Sequence, residues 1–244
     1  MAGGRPELTV VVPTYNERDN VRPLLERLRK ALESVDYEVL FVDDDSPDGT
    51  ADVVREEMAR DPRVRLVVRR GERGLASAIL RGIREARGRY VAVMDADLQH
   101  PPEVVPRLLD AARREGAGIV VASRYARGGG VGRWNPLRKV ISWGATLIAR
   151  LLVPESRRTT DPMSGFFLID KDAVSIDGAD PVGYKALLEI LYRNPAAKVV
   201  DVPYVFGERA SGESKLGTKV ILDYLWHVIK ISRPVKFAVV GAIG

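Results

Sequence analysis

A short apolar run, Tyr90 to Met94, passes directly into Asp95-Ala96-Asp97-Leu98-Gln99-His100-Pro101-Pro102. Two carboxylates ending a buried strand can hold a divalent cation against a diphosphate, because hard oxygen ligands and residual waters satisfy Mg2+ or Mn2+. An Asp-x-Asp triplet decides little by itself, since it recurs at 43/45 and 170/172. Position after a strand promotes 95/97, whereas Asp170 and Asp172 are expected in solvated turn and helix-cap roles. Two further segments occupy equivalent places: Pro13-Thr14-Tyr15-Asn16-Glu17, and Asp43-Asp44-Asp45-Ser46-Pro47-Asp48-Gly49-Thr50. Asn16, Asp48 and Thr50 suit the caps of the helices that follow. Three adjacent aspartates exceed capping needs, and their mutual repulsion suggests a ligand offering hydroxyl or amino donors, such as a ribose or a base. Neither segment contains Gly-x-Gly-x-x-Gly or Gly-Lys-Ser/Thr, so dinucleotide and P-loop readings lose their main support.

The elements that must position these residues are visible as alternating patterns. Leu8–Pro13, Val39–Val42, Val64–Val68, Tyr90–Met94 and Gly118–Ala122 read as strands, and Asn20–Leu32, Thr50–Ala59, Gly74–Ala86 and Pro102–Arg114 have the i, i+3, i+4 apolar spacing of helices. Continuous Val/Ile-rich strands point to a parallel sheet covered on both faces, a doubly wound α/β core. Such sheets bind ligands at the carboxyl ends of their strands.

The chain of 244 residues is 45% apolar and 29% charged, which suits one large folded domain and excludes collagen-like, coiled-coil and wholly disordered classes. No cysteine is present, and His100 and His227 are the two histidines, so disulfides, thiolate zinc sites and imidazole metal clusters are excluded. Arg124 to Arg158 holds eight basic residues against the single acid Glu155, an excess of +7 in a chain whose formal charge is +5, so the remainder carries −2. A local basic excess suits nucleic acid, anionic lipid or phosphorylated ligands. A nucleic-acid module would interleave aromatics for base stacking; only Tyr125, Trp134 and Trp143 qualify, and the neighbouring leucines and isoleucines favour lipid, so no nucleic-acid partner is expected.

After Ala122 the rhythm changes. A Gly-rich turn, 128–132, precedes Pro136–Val153, which carries apolar residues beside Arg138, Lys139 and Arg150, a composition compatible both with a helix in a membrane interface and with ordinary packing. A weaker sheet-and-helix region, Ser164–Val205, leads into a glycine-punctuated loop, 207–217, and a helix at about 218–231. No signal peptide is visible at the start. The last residues, Val235–Gly244, form an apolar run behind Lys230, Arg233 and Lys236, the flank expected at a cytoplasmic membrane boundary, with a buried terminal strand as the alternative reading. Residues 8–122 are expected to form a nucleotide-binding half, 123–217 an acceptor-binding half with a lid loop, 218–231 a membrane-proximal helix and 232–244 the start of a membrane segment.

In this order and spacing PTYNER, VDDDSPDGT, MDADLQHPPE, SRYARGGGV, RKVIS, DPMSGFF and GESKLG resemble glycosyltransferase family 2, in its polyprenyl-phosphate mannose synthase branch, over about Leu8 to Ile231. The resemblance implies a Rossmann-like doubly wound mixed sheet of the glycosyltransferase A type with C-terminal amphipathic, membrane-proximal helices. It implies transfer of mannose, with inversion, from GDP-mannose to a polyprenyl (dolichyl-type) phosphate at the cytoplasmic face of a membrane. It places the donor nucleotide at Pro13, Tyr15, Glu17, Asp44, Asp95, Ala96 and Gln99, and Mg2+ or Mn2+ with the diphosphate at Asp95, Asp97 and Gln99. Acceptor phosphate falls to Arg124, Arg138 and Ser142, while Arg209 and Lys215, in the loop expected to order over bound anions, face the donor diphosphate or the acceptor phosphate. Phe167 stands where the eukaryotic single-domain branch has an arginine, which points to the prokaryotic branch, in which membrane helices follow the catalytic domain.

The implied reaction explains an absence. A phosphate monoester, with a second pKa of about 6, is already anionic near neutral pH, so no catalytic histidine is required and His100 and His227 read as structural. The site must instead hold two anions close together, with a metal on the leaving diphosphate and arginines on the nucleophile. Catalytic weight falls on Asp97, Arg124, Arg138, Arg209 and Lys215. Rival readings are glucosyl transfer from UDP-glucose to undecaprenyl phosphate, a basic nucleic-acid-binding module, and a catalytically silent donor-binding subunit, for which no feature speaks.

Overall fold

The structure, a computed structural model, describes residues 5–132, 144, 147–179 and 186–207. Its first half alternates strand and helix: β1 (Leu8–Thr14), α1 (Arg18–Ala31), β2 (Tyr37–Asp43), α2 (Thr50–Arg60), β3 (Val64–Val68), α3 (Leu75–Glu85), β4 (Tyr90–Val93), a 3-10 turn (Pro102–Val104), α4 (Val105–Glu115) and β5 (Ile119–Ser123). After a second 3-10 turn (Pro154–Arg158) come β6 (Phe167–Asp170), α5 (Ala186–Arg193) and β7 (Val199–Pro203). The strands form one sheet in the order β3-β2-β1-β4-β6-β5-β7.

The sheet is mixed, as the family resemblance implies, where the apolar strand patterns alone point to a parallel one. β6 runs antiparallel to both neighbours, β4 and β5, while the other pairs are parallel. Its sequence, Phe-Leu-Ile-Asp, is apolar because both its faces are buried, and burial looks the same for either direction. The reversal matters for function, because it brings the start of β6 to the rim where the other strands end.

Alternation along β1 divides the core. Leu8, Val10 and Val12 pack with α1, α2 and α4 on one face, and Val11 packs with α3 and α5 on the other. α3 lies so close to the sheet that a β-carbon at Gly82 would meet Val11 Cγ1 at 2.3 Å. β1 pairs with β2 through Thr14 but with β4 only through Val11. Beyond Val11 the two strands separate, so Pro13 lacks an N–H where no β4 pairing needs one, and a crevice opens between them.

Described residues 147–152 are helical. Ala149 and Val153 are buried with Met163 and Leu188, and Ile148 and Leu152 pack beside them, whereas Leu147 and Leu151 are 42% and 64% exposed. Among the described residues no helix is long and apolar enough to cross a membrane. The expected segments at 218–231 and 232–244 lie outside the described residues.

Candidate active site

The ends of β1, β2 and β4, the loop before β6 and the chain leaving β7 meet at the carboxyl rim. All three non-glycine residues with positive φ among those described lie there: Asn16 (59°), Asp45 (55°) and Leu98 (64°), one after each of the three strands. Asn and Asp tolerate this region, but Leu does so only under constraint. For Leu98 the constraints are visible on either side. Asp97 Oδ1 accepts the Gln99 N–H at 3.1 Å, and the Gln99 carbonyl accepts the Gly207 N–H at 2.9 Å. The Gln99 side-chain amide also donates to the Gly207 carbonyl at 3.3 Å. The turn that carries the acids is thereby fastened to Gly207, the last described residue.

His100 secures the other end of this turn. Its Nδ1 accepts the Asp95 N–H at 3.0 Å, which leaves the ring proton on Nε2. The ring is buried, stacked on Phe166 at 5.0 Å and edge-on to Tyr204 and Phe206, and desolvation pulls its pKa down to about 4, against the opposing pull of Asp97. His100 is therefore neutral and structural, as expected from the sequence. The DPMSGFF segment closes this side, for a β-carbon built on Gly165 would stand 3.5 Å from His100 Cε1 and 3.8 Å from Asp95 Oδ2. Burial pushes the Tyr204 hydroxyl up, and it has no hydrogen-bond partner among the described residues.

Asp95 stands partly open at the rim, and Ala96, Asp97 and Gln99 are buried. Two carboxylates and an amide carbonyl are the hard oxygen donors that Mg2+ or Mn2+ takes, so the residue types fit such an ion. No cluster of three or more His, Cys, Asp or Glu with metal-binding placement occurs among the described residues. A site here would therefore be completed by Gln99, waters and ligand oxygens.

On the β1 and β2 side the capping reading holds for Asp48, whereas Glu17 and Gly49, not Asn16 and Thr50, occupy the N-cap positions of α1 and α2. Asp48 Oδ1 accepts the Thr50 N–H at 2.9 Å and its Oδ2 accepts the Arg18 N–H at 3.1 Å, so one carboxylate serves the starts of both α2 and α1. Thr50 Oγ1 accepts the Glu17 N–H, and the Glu17 carboxylate takes the Asn20 amide at 2.7 Å. Pro13 is buried, and Tyr15 lies under the Arg73 guanidinium at 4.9 Å. The idea that the aspartate triplet awaits ligand donors to relieve repulsion needs revision. Asp43 takes the Thr14 and Ser46 hydroxyls, and Asp44 is paired with Arg69, a residue the sequence did not single out.

Arg124 also departs from its expected setting. Its guanidinium grips Asp161 through Nε at 2.7 Å and Nη2 at 2.8 Å, with Asp161 fully buried. The pairing with Asp161 raises its pKa against the opposing effect of burial. Arg124 is thus an internal ion pair rather than part of an exposed basic patch. The other basic residues described in this stretch are not internal, Arg127 and Arg157 being exposed and Arg150 and Arg158 half-buried, but three of them are tied to backbone carbonyls. Arg150 donates to the Thr159 carbonyl, Arg157 to the Arg150 carbonyl, and Arg158 to the carbonyls of Leu191, Pro195 and Ala197 beyond α5. Asp170, expected in a solvated role, is buried and takes the Arg89 guanidinium at 2.7 Å, while Asp172 is exposed. Its position at the end of an antiparallel strand puts it at the opposite end of the sheet from the site. Arg138, Ser142, Arg209, Lys215 and His227 lie outside the described residues.

Residues 9–175 match glycosyl transferase family 2. The chain is 45% identical to a dolichol-phosphate mannosyltransferase of Pyrococcus furiosus, across 98% of this chain and 69% of that protein. It is 37% identical to an undecaprenyl-phosphate mannosyltransferase of Micrococcus luteus, across 90% of this chain and 91% of that one. In fold it matches glucosyl-3-phosphoglycerate synthase of Mycobacterium tuberculosis, solved with Mn2+, UDP-glucose and phosphoglyceric acid, at a TM-score of 0.68 and 19% identity over 93% of this chain and 78% of that one. The mixed seven-stranded sheet is the Rossmann-like sheet of the glycosyltransferase A type.

Proposed function

We propose that this chain, which belongs to glycosyl transferase family 2, transfers mannose from GDP-mannose to a polyprenyl or dolichyl-type phosphate with inversion at the anomeric carbon. One observation carries the reading: the acidic turn 95–99 and the DPMSGFF segment, remote in sequence, are packed together at the sheet's carboxyl rim around His100. The names of the Pyrococcus and Micrococcus relatives support the sugar and the class of acceptor.

In this reading Pro13, Tyr15, Glu17, Asp44 and Ala96 receive the donor nucleotide. Asp95, Asp97 and Gln99 would hold Mg2+ or Mn2+, which when bound supplies positive charge to the leaving diphosphate. His100 and Gly207 keep the turn at one geometry, so that its carboxylates need no rearrangement when donor arrives. Arg138, Ser142, Arg209 and Lys215 are assigned to the acceptor phosphate and the donor diphosphate. Arg124, expected to touch acceptor directly, fits better as support, since Nε and Nη2 already hold Asp161 and organise the DPMSGFF segment. No residue need remove a proton from an acceptor that is already an oxyanion. The acceptor is lipid-borne, so we place the reaction at the cytoplasmic face of a membrane.

The decisive assay supplies purified protein, Mg2+ and a short polyprenyl phosphate with labelled GDP-mannose or UDP-glucose. Label should enter lipid from GDP-mannose. Entry from UDP-glucose alone would overturn the choice of sugar, and equal turnover under exhaustive chelation would remove the metal.

A further inference from the structure

Asp44 has every hydrogen bond accounted for but one, and the count limits what it can recognise. An ionised carboxylate offers about four acceptor positions, two on each oxygen. Oδ1 receives two N–H groups of Arg69, Nε at 2.7 Å and Nη2 at 2.5 Å. Oδ2 receives the Gly74 N–H at 2.9 Å. One position remains, on Oδ2. Arg69 is itself saturated: Nη2 also reaches the Gly74 carbonyl at 3.0 Å, and Nη1 reaches Ser77 Oγ at 2.9 Å and Glu72 at 3.3 Å. Its side chain is 3% exposed, so little of it is open to solvent.

We propose that Arg69 is a positioning residue for donor recognition: by saturating Oδ1 it fixes Asp44 as a single-acceptor contact for the nucleoside. The inference rests on the reading of Asp44 as a nucleotide contact. Guanine presents N1–H and N2–H side by side, and a carboxylate matches that edge only with both oxygens available. Arg69 closes that mode. Asp44 therefore takes one donor, a ribose hydroxyl or a single ring N–H, and does not read the 2-amino group of guanine. Whatever preference for guanine the protein has must come from another residue. The same guanidinium ties the loop 69–74 to the N-terminus of α3, and this loop holds Arg73 over Tyr15. The rim beside the nucleoside is thus held by one buried arginine.

The test is calorimetric titration of the full chain with GDP and with IDP, which lacks the 2-amino group, in the presence of Mn2+. Asp44→Asn should weaken both nucleotides by the same factor, about tenfold for a lost charge-assisted hydrogen bond. Arg69→Lys keeps the charge and loses the fork. It should weaken GDP about tenfold, and add less than threefold when combined with Asp44→Asn, because both changes act on one contact. Thermal melting establishes that each variant is folded. Should Arg69→Lys fail to fold, Ser77→Ala removes one anchor of Nη1 and should weaken GDP about threefold. Unchanged GDP affinity in Arg69→Lys, or in Ser77→Ala where that variant replaces it, overturns the proposal, as do fully multiplicative effects in the double variant. A change of the GDP to IDP ratio in Asp44→Asn overturns the single-acceptor claim. If Asp44→Asn leaves both affinities untouched, it is the assignment of Asp44 to the nucleotide that fails.

Discussion

The two ends of the sheet use the same residue types to opposite purpose. At the amino end Glu57 is shared by Arg22, Arg29 and Arg60, Asp61 by Arg29 and Arg63, and Asp170 takes Arg89. The acids there are sheltered but most of the arginines are not, Arg22, Arg60 and Arg89 being more than half exposed. At the carboxyl end Arg69 and Arg124 are 3% and 11% exposed, and each is forked onto one aspartate. Exposed guanidiniums keep their hydration and can exchange partners at little cost. Buried ones leave an uncompensated charge if their partner goes, so they hold a single geometry. Arginine therefore serves stability at one end and precision at the other, and solvent decides which. Backbone strain follows the same division, since the three non-glycine positive φ angles among the described residues all fall at the carboxyl end.

This contrast breaks most visibly at the acidic turn. Asp97→Ala should lower transfer by at least about a thousandfold, or about 4 kcal/mol of barrier, with circular dichroism and melting near those of the parent. Residual turnover above a tenth would place the metal elsewhere. Next in size is the Arg124–Asp161 pair. Arg124→Ala strands Asp161 in a dry setting and should cost about 3–5 kcal/mol, lowering the melting temperature by about 10 °C. A melt within 2 °C or so of the parent would show that Arg124 acts only on ligand.

The amino end is sharpened by acid. The Arg63 hydrogen bond, aided by Arg29, pulls Asp61 down to about 2 from its ordinary 3.8. A carboxylate with a depressed folded pKa stabilises above its unfolded value, and that contribution disappears as pH falls from about 4 to about 2. Denaturant midpoints at pH 5 and pH 2.5 should differ more for the parent than for Asp61→Asn, by about 1–2 kcal/mol after allowance for the exposed arginines. Equal differences would remove the assignment. Smallest of all is Arg27→Ala, which breaks a fork onto Glu103 with both groups well exposed. A change above about 1 kcal/mol in the unfolding free energy would contradict the view that exposure cheapens a pair.

Much of this molecule is legible in its amino-acid order. Strands at the centre of a covered sheet must be apolar on both faces, and helices on that sheet must repeat with the period of their own turn, so β1 to β5 and α1 to α4 can be read within a few residues. The acids at the ends of β1, β2 and β4 are visible for the same reason, being polar residues where an apolar run stops. The direction of β6 is not visible, because burial on both faces erases the alternation that would betray its neighbours. Nor are the partners of Asp44 and Asp161, which come from 25 and 37 residues away. An arginine in a basic stretch has the same letter whether it meets water, lipid or a buried carboxylate. Which of these it meets depends on local dielectric and on the meeting of distant segments, and both come into being only when the chain has closed around its sheet.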